Sequence, residues 1–398
     1  MDKIRDYFNN INLNKINNVF ENNYDNALLK KLVYDTKHIN KFHKETLKQH
    51  FQLVWKYFHK NKFYNELLQL YNNKKFIPQL GSLKLYEEIL VLGHDLGKPF
   101  TEVKDKNNYY HYYNHEIISN YIMLEKLNDL FGNKIDIFYL TYIIKNHMLF
   151  GTSKINKVID KMSVLPYPFV LLSLSLVYAD HYGRLVENKT FNDGFIDRLD
   201  TIYNKIKERN LPKYDGTFDI FKNNKFIDKN KTIILMSGLP GSGKTYIRKE
   251  LLNKLENVMV LSFDDMRKNH LDITKETQRI FNEFQKSNNI QYLIIDNTNI
   301  NSKSIRRLNL QQFLTINSKK PKPFNILVIS FPYLPLKERR NRIINRKTVN
   351  DIPLLDLVLF NGIYEHPITN PLLLNSKNVK IITTNNVNDI LNEIVIKI

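Results

Sequence analysis

Hydrophobic positions follow two different periods along this 398-residue chain. Up to about residue 200 they recur at i, i+3, i+4 and i+7, as in KETLKQHFQLVWKYFHK (44–60) and NHEIISNYIMLEKLNDLF (114–131). That spacing gathers the apolar side chains into one stripe per helix, so the first half is predicted to be all-α, without an internal repeat. The longest apolar run, VLPYPFVLLSLSLVYAD (164–180), carries two prolines, is too short to span a bilayer and ends at Asp180; it is predicted as a buried helix. After about residue 230 the pattern changes to short β-rich runs: TIILMS (232–237), VMVLSF (258–263), YLIIDN (292–297), FNILVIS (324–330) and VKIITT (379–384). Helical stretches such as GKTYIRKELLNKL and NDILNEIVIKI separate them. Buried strands alternating with helices predict an α/β domain with a parallel sheet covered on both faces. The expected organisation is a helical domain over 1–205, a polar, breaker-bearing linker over 206–230, and an α/β domain over 231–398.

Composition narrows the chemistry. The formal charge is +19, from 59 Lys and Arg against 40 Asp and Glu. Such an excess suits a polyanionic partner, although the chain's abundance of Asn, Ile and Lys gives charge alone little weight. There is no cysteine, which excludes disulfides and thiolate ligands, so a transition metal must be held by His, Asp or Glu. Nine of the eleven histidines lie in residues 1–200. The opening MDKIRDYFNN lacks the apolar core of a signal peptide, and a soluble intracellular protein with no membrane partner is expected.

GLPGSGKT (238–245) matches G-x-x-x-x-G-K-[ST] and falls where the chemistry requires, after a strand and before a helix. Gly238, Gly241, Ser242 and Gly243 form a turn whose backbone N–H groups can converge on phosphate, with the positive end of the helix behind them. Lys244 is expected to reach the β- and γ-phosphates of ATP or another NTP, and the Thr245 hydroxyl to hold Mg²⁺. LSFDDMRK (261–268) places acidic residues at the carboxyl end of the second strand, where parallel sheets bind ligands. A carboxylate there can take the proton of an attacking hydroxyl, and the Arg three residues on can hold the acceptor's phosphate. LKERRNRIINRKT (336–348) sets Arg339, Arg342 and Arg346 on one predicted helical face, suited either to a lid over ATP or to a solvated basic helix.

Residues 232–366 resemble the kinase domain of bacteriophage and bacterial polynucleotide 5′-kinases, on GLPGSGKT, Asp264-Asp265-Met266-Arg267, Asp296 with Thr298-Asn299, and Arg342 with Arg346. The resemblance implies Asp264 as general base for a nucleic-acid 5′-OH and Arg267 on the adjacent phosphate. It also implies Thr298 and Asn299 at the acceptor, and Arg342 and Arg346 on the ATP phosphates. Asn297, between Asp296 and Thr298, departs from the family's D-T-N element.

In the helical half, His50, His94-Asp95 in VLGHDLGKPF, His115 in YYNHEIISN, His147 in IIKNHMLF and Asp180 in LVYADHYGR each lie in or beside an apolar helical pattern. An unpaired polar side chain is costly there, and imidazole with carboxylate suits Mn²⁺, Fe, Co²⁺, Ni²⁺ or Zn²⁺. Over residues 40–200 this set resembles the HD-domain phosphohydrolases: an early His, HDLGK, later histidines and a final AD-x-x-GR. The resemblance implies one metal on His50, His94, Asp95 and Asp180, with His115 and His147 completing a second site or touching phosphate. Lys98 and Arg184 then serve as phosphate or structural contacts. HKETLKQH also offers His43 as first ligand, and His50 is preferred; His111 and His181 read as ordinary structural histidines. KYDG (213–216) fits the lysine signature of nucleotidyl-transferring ligases, but the strand at 232 follows too soon for a ligase domain, so it reads as a turn.

The order of the halves is similar to a bacterial family of fused HD-domain and polynucleotide-kinase end-healing enzymes. That resemblance implies repair of RNA ends, tRNA among them and DNA as a further substrate, in a bacterial or phage-infected cytoplasm, with a separate ligase sealing the product. A nucleoside or metabolite kinase fused to a nucleotide phosphohydrolase, and an NTP-switched binding protein, are the other readings of the same residues.

Overall fold

The computed structural model describes residues 15, 26–38, 40, 43–185, 194–218, 226, 231–299, 301–308, 310–313, 324–345, 352–374 and 376–394. The chain divides into two compact units, Met1–Gly216 with Pro353–Ile363, and Thr217–Ile352 with Tyr364–Ile398.

The first unit is a helical assembly around Tyr167–Tyr182, a helix so uniformly apolar that it is buried on nearly every side. Against it pack the helices Leu47–Phe58 and Lys62–Asn72. Leu47–Phe58 begins with a capping box: Thr46 accepts from Gln49 N–H and the Gln49 side chain accepts from Thr46 N–H. Its buried stripe, Leu47, His50, Phe51, Val54 and Phe58, has the spacing of one helical face. The helices Leu83–Gly93, His115–Phe131 and Ile135–Asn146 complete the core.

Two features depart from the sequence expectation. An antiparallel pair, β1 (Glu102–Lys104) and β2 (Tyr110–Tyr112), interrupts the all-α half. Asp105 nucleates the turn between them by accepting from Asn107 and Tyr109 N–H, and Asn108 takes a left-handed φ of 62°. The second feature is helix Leu354–Gly362, which belongs to the helical unit although it lies late in the chain. It packs on His115–Phe131, where Asn120 donates to Gly362 O at 2.8 Å, and Lys145 of the helix Ile135–Asn146 donates to Ile363 O at 2.8 Å. Residues 206–216 also group with this unit, anchored by Tyr214, whose hydroxyl donates to Asp136 Oδ2 at 2.7 Å. In KYDG itself Gly216 has a φ of 76°, as a turn requires.

The second unit holds a five-stranded, wholly parallel sheet in the order β4-β5-β3-β6-β7: β3 is Lys231–Ser237, β4 Val258–Ser262, β5 Tyr292–Asp296, β6 Phe324–Ser330 and β7 Val379–Thr383. Central β3 is buried on both faces, and Ile234 lies opposite Ile294 on one side and Leu327 on the other. One face packs on helices Lys244–Lys254 and Val387–Ile394 through Ile247, Leu251, Val387, Ile390 and Ile394. Because β4 and β5 lie to one side of β3 and β6 and β7 to the other, the chain reverses direction across the sheet at β3. The loop leaving β3 therefore opens into the crevice where such sheets bind ligands.

Candidate functional site

In the helical unit the backbone delivers six side chains to one point. His50 lies one turn into Leu47–Phe58, and His94 follows the last turn of Leu83–Gly93 with Asp95 behind it. His115 begins one helix, His147 follows another, and Asp180 lies near the end of the central helix. The turn holding His94 and Asp95 lies directly against His115–Phe131 because residue 97 is glycine: a Cβ there would fall 2.0 Å from His115 O. Gly97 N–H donates instead to Ser119 Oγ at 2.8 Å.

Asp95 is at the centre. Its Oδ1 is 3.1 Å from His115 Nε2 and 3.8 Å from His147 Nε2, and its Oδ2 is 3.3 Å from His94 Nε2 and 3.5 Å from His50 Nε2. His50 Nε2 is also 3.2 Å from Asp180 Oδ1. The donor atoms form two groups, His50–His94–Asp180 and Asp95–His115–His147, each compact enough for one cation, with Asp95 bordering both. Tautomers support the fit. His94, His115 and His147 direct Nδ1 at the carbonyls of Val91, Tyr112 and Ile144 at 2.9, 2.7 and 2.7 Å. A carbonyl only accepts, so Nδ1 carries the proton and a neutral ring turns the Nε2 lone pair inward. The Nε2 atoms of His50, His94 and His115 are buried and make no hydrogen bond. Buried polar atoms without partners are costly, and bound cations would satisfy them. Imidazole and carboxylate donors without thiolate suit Mn²⁺ or similar transition ions.

The electrostatics agree. Burial alone would raise the Asp95 carboxyl, but His94 and the Lys98 ammonium beside it hold it well below the usual range. Asp180 is likewise lowered, chiefly by Arg184, against its own burial. Burial lowers His147 to about 3, so its imidazole is neutral, as a ligand must be. Lys98 Nζ lies 2.6 Å from Asp95 Oδ2 and Arg184 Nη2 lies 2.7 Å from Asp180 Oδ2, so both cations are bound to the carboxylates. His43 is not among the six; its Nδ1 is 2.6 Å from Glu45 Oε1. His111 pairs with Asp105 at 2.9 Å, and His181 stacks on Phe195.

In the second unit the loop between β3 and helix Lys244–Lys254 has the phosphate-cradle conformation. Gly241 and Gly243 have φ of 82° and 103°, values that L side chains rarely adopt. A Cβ on Gly241 would also fall 2.7 Å from Arg339 O. Lys244 folds over its own loop, donating to Gly238 O at 2.8 Å and Leu239 O at 2.9 Å. Gly238 N–H donates to Thr298 O at 3.0 Å.

Asp264 and Arg267 occupy the short helix Phe263–Lys268 after β4, paired to each other at 2.8 Å and both exposed. Asp265 and Asp296, at the same sheet rim, share Arg248 Nη1 at 2.9 and 3.2 Å. Burial raises the Asp296 carboxyl, and Arg248 and Lys244 oppose that. Sequence reasoning missed Arg248; its place in the first turns of the helix behind the phosphate loop was the available signal. Two of the expected site positions are buried. Asn299 is buried; its side-chain amide donates to Met236 O at 2.8 Å and its backbone carbonyl accepts from Ser237 Oγ at 2.9 Å. It braces the loop strand. Arg339 is fully buried, with Nε donating to Leu334 O at 2.7 Å. Arg342 is exposed and pairs with Glu338 at 2.6 Å, and Arg346 lies outside the described residues.

Strand order and phosphate loop define the second unit as a P-loop nucleotide-binding domain of the kinase-like type. A family model described as Zeta toxin matches residues 219–288, spanning the phosphate loop, Asp264 and Arg267. No curated protein matches the chain. Among the described residues no helix is long and apolar enough to cross a membrane.

Proposed function

We propose that this chain heals broken RNA ends. The P-loop unit transfers the γ-phosphoryl group of ATP to a 5′-OH, and the helical unit hydrolyses a 2′,3′-cyclic phosphate or a terminal phosphate. The observation that carries this reading is the convergence of His50, His94, Asp95, His115, His147 and Asp180 in the same chain as a kinase-like phosphate loop.

On the kinase side, Lys244 exchanges the carbonyls of Gly238 and Leu239 for phosphate oxygens, and Thr245 holds Mg²⁺. Asp264 accepts the proton of the attacking 5′-OH, while Arg267, released from Asp264, takes the adjacent phosphate. Thr298 lies at the same rim, and Arg342 steadies the donor phosphates. On the helical side, His50, His94 and Asp180 would hold one cation and Asp95, His115 and His147 a second, with Asp95 bordering both. Divalent ions there supply Lewis acidity toward a phosphate ester. Lys98 holds Asp95 in place and Arg184 holds Asp180, leaving the outer face of the guanidinium for substrate phosphate. A separate ligase joins the healed ends.

The test is an oligonucleotide bearing a 5′-OH and a 2′,3′-cyclic phosphate, offered with ATP, Mg²⁺ and Mn²⁺ in RNA and DNA forms beside free nucleosides. Both oligonucleotide termini are expected to change. Label on nucleosides alone would favour the second reading, a small-molecule kinase fused to a nucleotide phosphohydrolase. That reading has one observation in its favour: the Zeta toxin match covers the donor loop and Asp264 but ends before the rim residues at 296–299. An NTP-switched binding protein is distinguished by Asp264→Asn, which would leave its NTP hydrolysis intact.

A further inference from the structure

Behind His50 lies a second tier of buried side chains that the reading above does not use. Glu45 is fully buried, and its Oε2 accepts from the N–H groups of Lys44 and Leu185, each at 3.0 Å. Its Oε1 faces three imidazoles, at 2.6 Å from His43 Nδ1, 3.3 Å from His50 Nδ1 and 3.7 Å from His38 Nδ1. Among the clustered histidines His50 is the exception. His94, His115 and His147 each use a carbonyl three residues back in their own turn, whereas His50 Nδ1 faces a carboxylate from the preceding loop, with Gly183 O also at 3.3 Å. A carboxylate behind an imidazole fixes its tautomer and strengthens the far nitrogen as a donor.

We propose that Glu45 is a positioning residue for the cation centre, holding His50 with Nε2 turned toward Asp95 and Asp180. The inference rests on the reading of that centre as a metal site. A third cation among His38, His43 and Glu45 fits less well. Lys98 Nζ lies 2.6 Å from His38 Nε2, and an ammonium only donates, so Nε2 accepts and Nδ1 carries the ring proton. His43 Nδ1, at 2.6 Å from a carboxylate, is also a donor. Neither Nδ1 has a lone pair to offer. The two rings also stack, with centroids 3.8 Å apart and planes 31° from parallel, rather than fanning around a common point.

The test uses the full chain, stripped by chelator and titrated with Co²⁺, followed by calorimetry and visible absorption. Wild type is expected to bind two ions. Glu45→Gln is expected to weaken one of them by about 10- to 100-fold and alter its absorption while leaving the other unchanged. His147→Ala is expected to weaken the opposite ion. If Glu45→Gln binds both ions like wild type, the proposal falls; if wild type takes up a third ion that Glu45→Gln loses, Glu45 is a ligand and the proposal also falls. Should wild type bind no Co²⁺, the underlying metal reading fails instead. If Glu45→Gln does not fold, Glu45→Asp decides, because it draws the carboxylate back by one methylene; undiminished affinity for both ions overturns the proposal.

Discussion

The two units place their chemistry in opposite settings. In the helical unit Asp95, His50, His94 and His147 are all less than 4% exposed, and each carboxylate is already surrounded by imidazole or cation. In the P-loop unit the Asp264 side chain is 86% exposed and pairs with Arg267, which is itself half exposed. A buried constellation must be compensated before substrate arrives, because water cannot do it. An exposed rim needs no such preparation, since solvent screens its charges until phosphate displaces it. The difference teaches that damage to the first site should appear in folding and chemistry together, and damage to the second in chemistry alone.

The largest effect is expected from Asp95→Asn. It removes the negative charge of a carboxylate whose two oxygens four imidazoles and Lys98 approach, and leaves the Lys98 ammonium buried without its closest counter-charge. Breaking a buried pair from one side costs about 3–5 kcal/mol. Phosphoester hydrolysis and bound metal should fall to background, the urea midpoint should drop, and 5′-OH phosphorylation by the folded fraction should persist. Loss of kinase activity in folded protein would show that the two sites are not separate.

Next in size is Asp264→Asn. Removing the proposed general base is expected to lower kcat by about 10²–10⁴-fold. Because the side chain is exposed, the change in stability should stay within about 0.5 kcal/mol, and hydrolysis of the cyclic phosphate should be untouched. Steady-state phosphorylation with a denaturation curve checks both halves. A variant that unfolds would break the contrast between the units.

Much of this arrangement was legible in the chain, and the misses share a cause. The β runs at 232–237, 258–263, 292–297, 324–330 and 379–384 end within a residue or so of the strands, because strands buried on both faces must be continuously apolar. The histidines and carboxylates that lie together are those embedded in apolar helical patterns, where a polar residue needs a reason. What periodicity cannot supply is the partner across space. Helix Leu354–Gly362 reads as one more helix of the α/β half, and nothing local says that it packs beside Asn120. Arginine spacing does not say which way a helix turns, so Arg339 is buried beneath the phosphate loop while Arg342 faces solvent. Glu45 went unseen because its three imidazoles are recruited from a loop and a helix whose approach only the fold defines.

A third test compares the units through acid. In the P-loop unit the one buried described histidine is His366, whose Nε2 lies 2.8 Å from Ser330 Oγ, and burial lowers it from 6.5 to about 3. The folded ring is neutral while the unfolded ring takes up a proton below 6.5. Stability from this group is therefore full above pH 6.5 and is lost as pH falls toward 3. Between pH 7 and 5 the loss should be about 2 kcal/mol, and His366→Gln should remove that slope whatever its effect at pH 7. Hydrogen exchange along β6, corrected for intrinsic rates, reports it locally. An unchanged slope would mean that His366 is protonated in the folded state.

The smallest effect isolates the exposed rim from the packed interior within one helix. Arg342 pairs with Glu338 one turn away, both nearly half exposed, and such pairs contribute at most a few tenths of a kcal/mol. Arg342→Ala should therefore leave the unfolding midpoint unchanged, and any loss should appear only when phosphoryl transfer is measured. Arg339→Ala, three residues earlier, should lower the midpoint, because it strips the donors held by Leu334 O and Pro240 O beneath the phosphate loop. If the two substitutions destabilise equally, burial is not what separates these arginines, and the contrast between a braced loop and an open rim loses its basis.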